Sequence, residues 1–513
     1  MNTPSPSTSS GGLVRALGAL TATAIIVGTV IGSGIFKKPQ AVAEALAGDT
    51  RAVYFGLVAL VWIAGGVLVL LGALAYAEVA TLYPRAGGNY VFLREGYGRM
   101  AGFLWGWVEF FIIRSASLAA LATIFTLSFH AVLKELAPAL GEQLGYWPQR
   151  ILTVVVILFL AAVNVRGVRW GGGLQLIITL VKVGSLLFFI LLPFVAVLLV
   201  SGAAEAPRTA DPARLNPVWP ERDELSPDLL SGFASALLAV LWAYHGWMNI
   251  APVAEEVKNP QRNLPLSLLT GTGIVVALYL GTNLAYSLVL TQDEMKGMKA
   301  GAKQQQKEEG NENRQAEPRD ETVAIGFCRR LLGPLGVALA AAAVMCSVFG
   351  ALNGNLLVGP RLLYAMGEDG LAPRALGAIH PRYRTPALAI IVMAGWACLL
   401  VLSVAVLTKL DVLAAGKDHF DILTDFAMFG AVIFETMAVL SIFVFRWKLP
   451  DAERPYRCWG YPVVPALYVI LPAIILVNMF QRQRQEALIG VGFIALGAVV
   501  YCLYGRRRAD LRR

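Results

Sequence analysis

The sequence predicts an all-α polytopic membrane protein with about twelve transmembrane helices, and three observations carry that prediction. Of its 513 residues, 57% are hydrophobic and only 15% charged, against roughly a quarter charged in soluble domains. Nearly uncharged segments recur from Val14 to Tyr504, most of them long enough to cross about 30 Å of hydrocarbon as a helix. Most Lys and Arg fall in short loops between these segments, so the net charge of +9 marks no nucleic-acid surface.

Apolar runs between polar breaks place the spans at 14–36, 54–79, 101–132, 151–165, 174–200, 229–253, 266–290, 335–365, 387–407, 422–445, 463–480 and 487–504. The fourth is short and is expected to begin inside the preceding loop. Residues 1–13 are rich in Ser, Pro, Thr and Gly, without a basic region ahead of an apolar stretch, and read as a disordered tail. Two groups of five spans follow, 14–200 and 229–445, joined by an extracellular loop at 201–228. The second group carries a polar insertion at 296–320. Residues 446–504 hold the last two spans and 505–513 a basic tail. An even number of spans puts both termini on one side. The cluster Arg506, Arg507, Arg508, Arg512 and Arg513 argues that this side is the cytoplasmic face of the cell membrane.

Two spans carry interruptions at corresponding places. Span one ends in Gly32-Ser33-Gly34, and each Gly weakens a helix by about 1 kcal/mol relative to Ala. Span six carries Trp242-Ala243-Tyr244-His245-Gly246-Trp247 near its middle, five spans later. Broken helices at matched positions of two five-helix units point to an inverted-repeat transporter with its substrate at the breaks. A break exposes N–H groups at the start of one half-helix and carbonyls at the end of the other. The N–H groups around Ser33, Gly34 and Ile35 suit a carboxylate. Carbonyls near Val30 and Ile31, and around Trp242 and Ala243, suit an ammonium group.

These residues also carry a resemblance. Gly28-Thr29-Val30-Ile31-Gly32-Ser33-Gly34-Ile35-Phe36 resembles the first-helix signature of the amino acid–polyamine–organocation superfamily, particularly its L-type amino acid transporter branch. Three further stretches agree in order and spacing: Ala77 to Tyr90 after span two, Glu255 to Pro265 after span six, and Arg454 to Pro462 after span ten. The resemblance implies a LeuT-like fold of two inverted five-helix repeats, with broken helices one and six and alternating access. It implies that Ser33 and Gly34 bind the substrate carboxylate. Val30 and the carbonyls of Trp242 and Ala243 would bind its amino group, with Trp242 also the gate. Many L-type relatives carry Phe there, whereas Trp resembles exchangers of arginine and agmatine, where an aromatic face stacks on a guanidinium. His245 stands where relatives are often small or acidic; it can bond substrate, sense pH or satisfy a neighbouring carbonyl.

Lys182 lies within span five, where an insertion cost of about 2.5–3.5 kcal/mol demands a cavity or partner. Gln175, Thr179, Lys182 and Ser185 form one polar stripe at helical spacing, which should face the bundle. The resemblance implies that Lys182 replaces the second sodium ion of sodium-coupled relatives. Glu109 and Arg114 are five residues apart, on different faces of an α-helix, so Arg114 is expected to partner another helix. Arg85, Glu255, Glu256, Lys258 and Arg262 have charges suited to inner-gate salt bridges.

No G-x-S-x-G, H-E-x-x-H or P-loop motif occurs, and the five cysteines lack metal-ligand spacing, so no enzyme activity, cofactor or metal is expected. The expected partners are an L-amino acid and the lipid bilayer, with no nucleic acid. Lys134 to Arg150, the loop after span three, contains no Cys and so excludes a disulfide-linked accessory subunit there. The leading function is a sodium-independent exchanger of neutral or large amino acids. The alternatives are a cationic amino acid or polyamine antiporter, favoured by Trp242 with Glu109, and a proton-coupled amino acid symporter.

Overall fold

The computed structural model describes residues 13–47, 52–200, 210–221, 227–296, 322–410, 419–482 and 484–510. Nearly all of the expected tail, half of the 201–228 loop, residues 297–320 of the insertion and residues 511–513 lie outside them. Ten helices are long and apolar enough to cross a membrane, and a bent pair makes eleven. The twelfth expected span is the shorter apolar helix Ala487–Leu503.

Span one is that bent pair, Ala19–Val30 and Gly34–Ala47, set at 41°. The helix stops where Ile31 leaves helical geometry (ψ 87°) and the weak helix formers Gly32, Ser33 and Gly34 follow. Span two is Phe55–Leu82, and span three runs Arg99–Leu136 through a π-helical turn at Glu109–Arg114. Span four, Tyr146–Val165, does begin inside the preceding loop, and span five is Val168–Val200. Span six breaks as expected: Pro227–Tyr244 ends, Gly246 takes a left-handed φ of 106° that other residues resist, and a 3-10 helix, Trp247–Glu256, continues. Span seven is Pro260–Val289. Span eight, Val323–Val358 continued by Pro360–Glu368, starts earlier than its apolar run because the segment from Val323 up to the kink at Gly333 (φ 62°) is also helical. Spans nine to twelve are Ala387–Lys409, His419–Lys448, Val463–Arg482 and Arg484–Asp510.

Several span pairs share one spacing. Span two packs on seven, three on eight, four on nine, and each half of broken span one packs against a half of broken span six. Each of these partners is five spans away, as two interleaved five-helix units produce, while span five packs on spans one, seven and eight. The large side chains buried at the centre, among them Trp62, Tyr244 and Tyr279, sit where spans two, six and seven surround the broken span one.

Candidate substrate and gating site

The two breaks lie against each other. Gly34, the first residue of the second half of span one, touches Ala243 so closely that a Cβ there would stand 2.6 Å from the Ala243 Cα. A side chain would force the breaks apart, so this glycine is required by contact with span six. Ser33 and Ile35 are buried beside it, and the Ser33 carbonyl accepts from Phe36 N–H (3.2 Å) and Lys37 N–H (3.1 Å), the first bonds of the new half-helix. The opening N–H groups of that half-helix have no intrahelical acceptor and carry the positive end of its dipole.

Each carbonyl expected at the breaks has an internal donor. Tyr279 of span seven places its hydroxyl 3.0 Å from the Val30 carbonyl and 3.1 Å from that of Ala243, bridging the two breaks. One hydroxyl hydrogen serves two carbonyls, so acceptor capacity is left over. The Ile31 carbonyl accepts from Lys182 Nζ (2.6 Å) and Ser347 Oγ (3.1 Å), and the Trp242 carbonyl from the His245 N–H (3.1 Å).

Lys182 is fully buried, and its Nζ also donates to the Gly28 carbonyl at 2.6 Å. It ties span five to the end of the first half-helix, and Ser347 of span eight bonds the Ile31 and Gly32 carbonyls, 3.1 Å each. The rest of the stripe faces the bundle as expected for Gln175 and Thr179: Thr179 donates to Ala24 (3.0 Å), and Gln175 accepts from Asn353 of span eight (2.8 Å). Ser185 instead bonds its own helix at Lys182.

Glu109 and Arg114 require a correction. They form an ion pair within span three, because the π-helical turn brings residues five apart onto one face, where α-helical spacing would separate them. Arg114 also reaches other helices as expected, bonding Asn355 of span eight and Asn249 of span six. The His245 side chain meets span ten, where its Nε2 lies 3.0 Å from Glu435 Oε1, and its ring stacks parallel to Trp242 at 6.0 Å.

At the end of the bundle where the chain starts, a short backbone bridge pairs Leu17 with Val257. Ala16 and Leu17 N–H donate to the Glu256 carbonyl, both at 3.0 Å, and Lys258 N–H to Leu17 (2.8 Å). The Glu256 carboxylate meets Arg361 of span eight at 2.8 Å, with neither side chain exposed. Glu255 accepts from the Ala86 N–H at 3.2 Å. Arg85, Lys258 and Arg262 are exposed and form no ion pair among the described residues. The buried ion pair at this end is therefore made by Arg361, which the sequence reading did not single out, although an Arg inside an apolar run demands a carboxylate partner. Tyr279 gave no signal of its own, since a Tyr in an apolar run is ordinarily packing.

Three of the four signature stretches, dispersed in sequence, converge here. Glu78 accepts from Arg446 (2.9 and 2.7 Å), stands 3.2 Å from Arg454 Nε and accepts from the Cys458 N–H at 2.6 Å, joining the stretch after span two to the one after span ten. Glu255 with Ala86 joins the second stretch to the third, and the Leu17–Val257 bridge brings in the segment that leads to the first.

The sequence matches the amino acid permease family over residues 17–503. The chain belongs to that family, within the amino acid–polyamine–organocation superfamily. This permease is 31% identical to the serine/threonine exchanger SteT of Bacillus subtilis (strain 168) over 505 residues, 98% of this chain and 100% of that one. It is 31% identical to the human b(0,+)-type amino acid transporter 1 over 498 residues, 96% of this chain and 88% of the relative. It is 29% identical to the rat large neutral amino acids transporter small subunit 2 over 511 residues, 98% and 83% of the two chains. The permease is an amino acid transporter of the membrane, from a family of transporters and not of enzymes.

Proposed function

We propose that the permease is a sodium-independent exchanger of neutral amino acids, working by alternating access between two five-helix units, 14–200 and 229–445. The reading is carried by the contact of the two breaks at Gly34 and Ala243. That contact sets the free N–H groups of Ser33, Gly34 and Ile35, for the substrate carboxylate, beside the Val30 and Ala243 carbonyls, for its amino group. The amino group takes acceptor positions that the single Tyr279 hydrogen leaves open. Trp242, two residues before the end of its half-helix, closes over the substrate. Lys182 fills the place of a second cation, so sodium is not required.

Glu109 favours the neutral class over a cationic amino acid or polyamine. Its charge is matched by Arg114 and so is not available to hold a guanidinium or an amine. Glu256, Arg361 and the Leu17–Val257 bridge form the inner gate. Both termini are placed in the cytoplasm of a cell whose plasma or inner membrane holds the protein. The relatives' names include serine and threonine and large neutral amino acids, and the same range is proposed here.

Uptake of labelled L-serine, L-leucine and L-arginine into purified proteoliposomes tests this. Stimulation by unlabelled serine or leucine inside, equal in sodium and choline buffers, is the expected result. Strict sodium dependence, or uptake of arginine alone, would overturn it.

A further inference from the structure

His245 and Glu435 form a contact the exchange reading does not use. Their side chains are each 15% exposed, and Nε2 lies 3.0 Å from Oε1. Two small cavities meet at Glu435. One is lined by His245, Trp247, Thr436 and Tyr468. The other is lined by Tyr76, Glu109, Arg114 and Asn249. Each has room for about one or two waters. Two polar atoms on their walls, Glu109 Oε2 and Thr436 Oγ1, are buried without a hydrogen-bond partner among the described residues.

The charges around this space do not balance. Glu109 and Glu435 bring two carboxylates, and Arg114 one guanidinium, which is already held by Glu109, Asn355 and Asn249. With His245 neutral the sum is one negative charge inside the membrane span, which is costly unless it is compensated. Among the described residues no cation other than Arg114 lines either cavity, and Arg94, on the helix Asn89–Tyr97 packed against span ten, is paired with Asp369. Span two presents Tyr76 and span eleven Tyr468, both phenols. Glu78 of span two and Arg446 of span ten are paired with each other. Lys37, Lys38 and Glu44 of span one line neither cavity. Tyr244, on the other face of span six, turns toward Trp62 and Tyr279.

We propose that His245 and Glu435 together form a proton-binding site, and that the proton they take up crosses with the amino acid as its coupling ion. This rests on the transporter reading above and adds the co-substrate. Binding one proton to the pair neutralises the set. The site is linked to the gate by geometry: the His245 ring lies parallel to Trp242 at 6.0 Å, three residues away on the same strand of backbone. A change in the charge or position of His245 is therefore felt by the ring that covers the substrate. In exchange, the incoming and outgoing protons cancel. In net uptake they do not, and the amino acid gradient follows the pH gradient.

The test uses wild-type protein in vesicles with trapped pyranine, pH 7.5 inside and 6.0 outside, and labelled L-serine or L-leucine added outside. Loaded vesicles report exchange and empty vesicles net uptake. The expected result is net uptake above that at equal pH, with acidification of the lumen that scales with the amino acid moved. In Glu435→Gln, the acidification per amino acid moved falls at least tenfold, whatever the remaining rate. Rapid exchange without pH-driven net uptake overturns the proton site and leaves the exchanger standing, as does a Glu435→Gln ratio equal to wild type. If Glu435→Gln does not transport, the wild-type acidification decides alone. No uptake in either kind of vesicle overturns the transporter reading beneath the proposal.

Discussion

Replacing Lys182 by Met isolates the tether between span five and the break in span one. Met keeps most of the stem's volume and removes only the donor, so packing is nearly preserved. Two bonds of 2.6 Å disappear, to the Gly28 and Ile31 carbonyls. Ile31 keeps Ser347 at 3.1 Å, so the principal loss is at Gly28. A buried acceptor left without its donor costs about 1–3 kcal/mol, and the weakened Ile31 carbonyl adds about 1 kcal/mol. Removing the buried amine returns its insertion cost of about 2.5–3.5 kcal/mol, so the folded protein should lose little stability. The deficit of about 2–4 kcal/mol should therefore appear in the geometry of the break. At 1.4 kcal/mol per decade this is a loss of roughly 30- to 1000-fold in kcat/KM for exchange. The assay is the initial rate of labelled serine exchange per reconstituted protein, with Tm measured on the same preparation. A Lys182→Met protein that exchanges within threefold of wild type would refute the reasoning, since the tether would then do nothing for the site.

Three further outcomes follow from the same geometry. Glu256→Gln strands the wholly buried Arg361 and should cost about 3–5 kcal/mol, whereas Glu294→Gln removes a half-exposed pair with Arg330 and should cost about 0–1 kcal/mol. Detergent Tm values that fall equally in the two variants contradict the burial argument. Tyr279→Phe leaves the Val30 and Ala243 carbonyls without their shared donor; KM for serine should change about tenfold in either direction while the protein remains folded, and an unchanged KM separates Tyr279 from the site. Gly34→Ala drives a methyl into Ala243 and should abolish exchange without abolishing expression. Gly18→Ala, with nothing within 4 Å, should be silent, and equal behaviour of the two would mean that the breaks can separate freely.

The spans, the glycine-weakened breaks and the need for Lys182 to find a partner were legible because they rest on local quantities: hydropathy over a membrane's thickness, helix propensity and the cost of one buried charge. Weak helix formers at Gly32-Ser33-Gly34 and at Gly246 break a helix wherever it packs. What tertiary structure decided were the pairings. The Glu109–Arg114 pair depends on a π-helical turn that hydropathy does not encode, and its partners Asn249 and Asn355 arrive from distant spans. Tyr279 bridges two carbonyls only because span seven passes both breaks, and Arg361 meets Glu256, with Arg85, Lys258 and Arg262 left in solvent, because span eight ends beneath span six. His245 acquired Glu435 in the same way. A sequence states which polar groups must be satisfied inside a membrane; which group satisfies each is settled by the crossing of helices far apart in the chain.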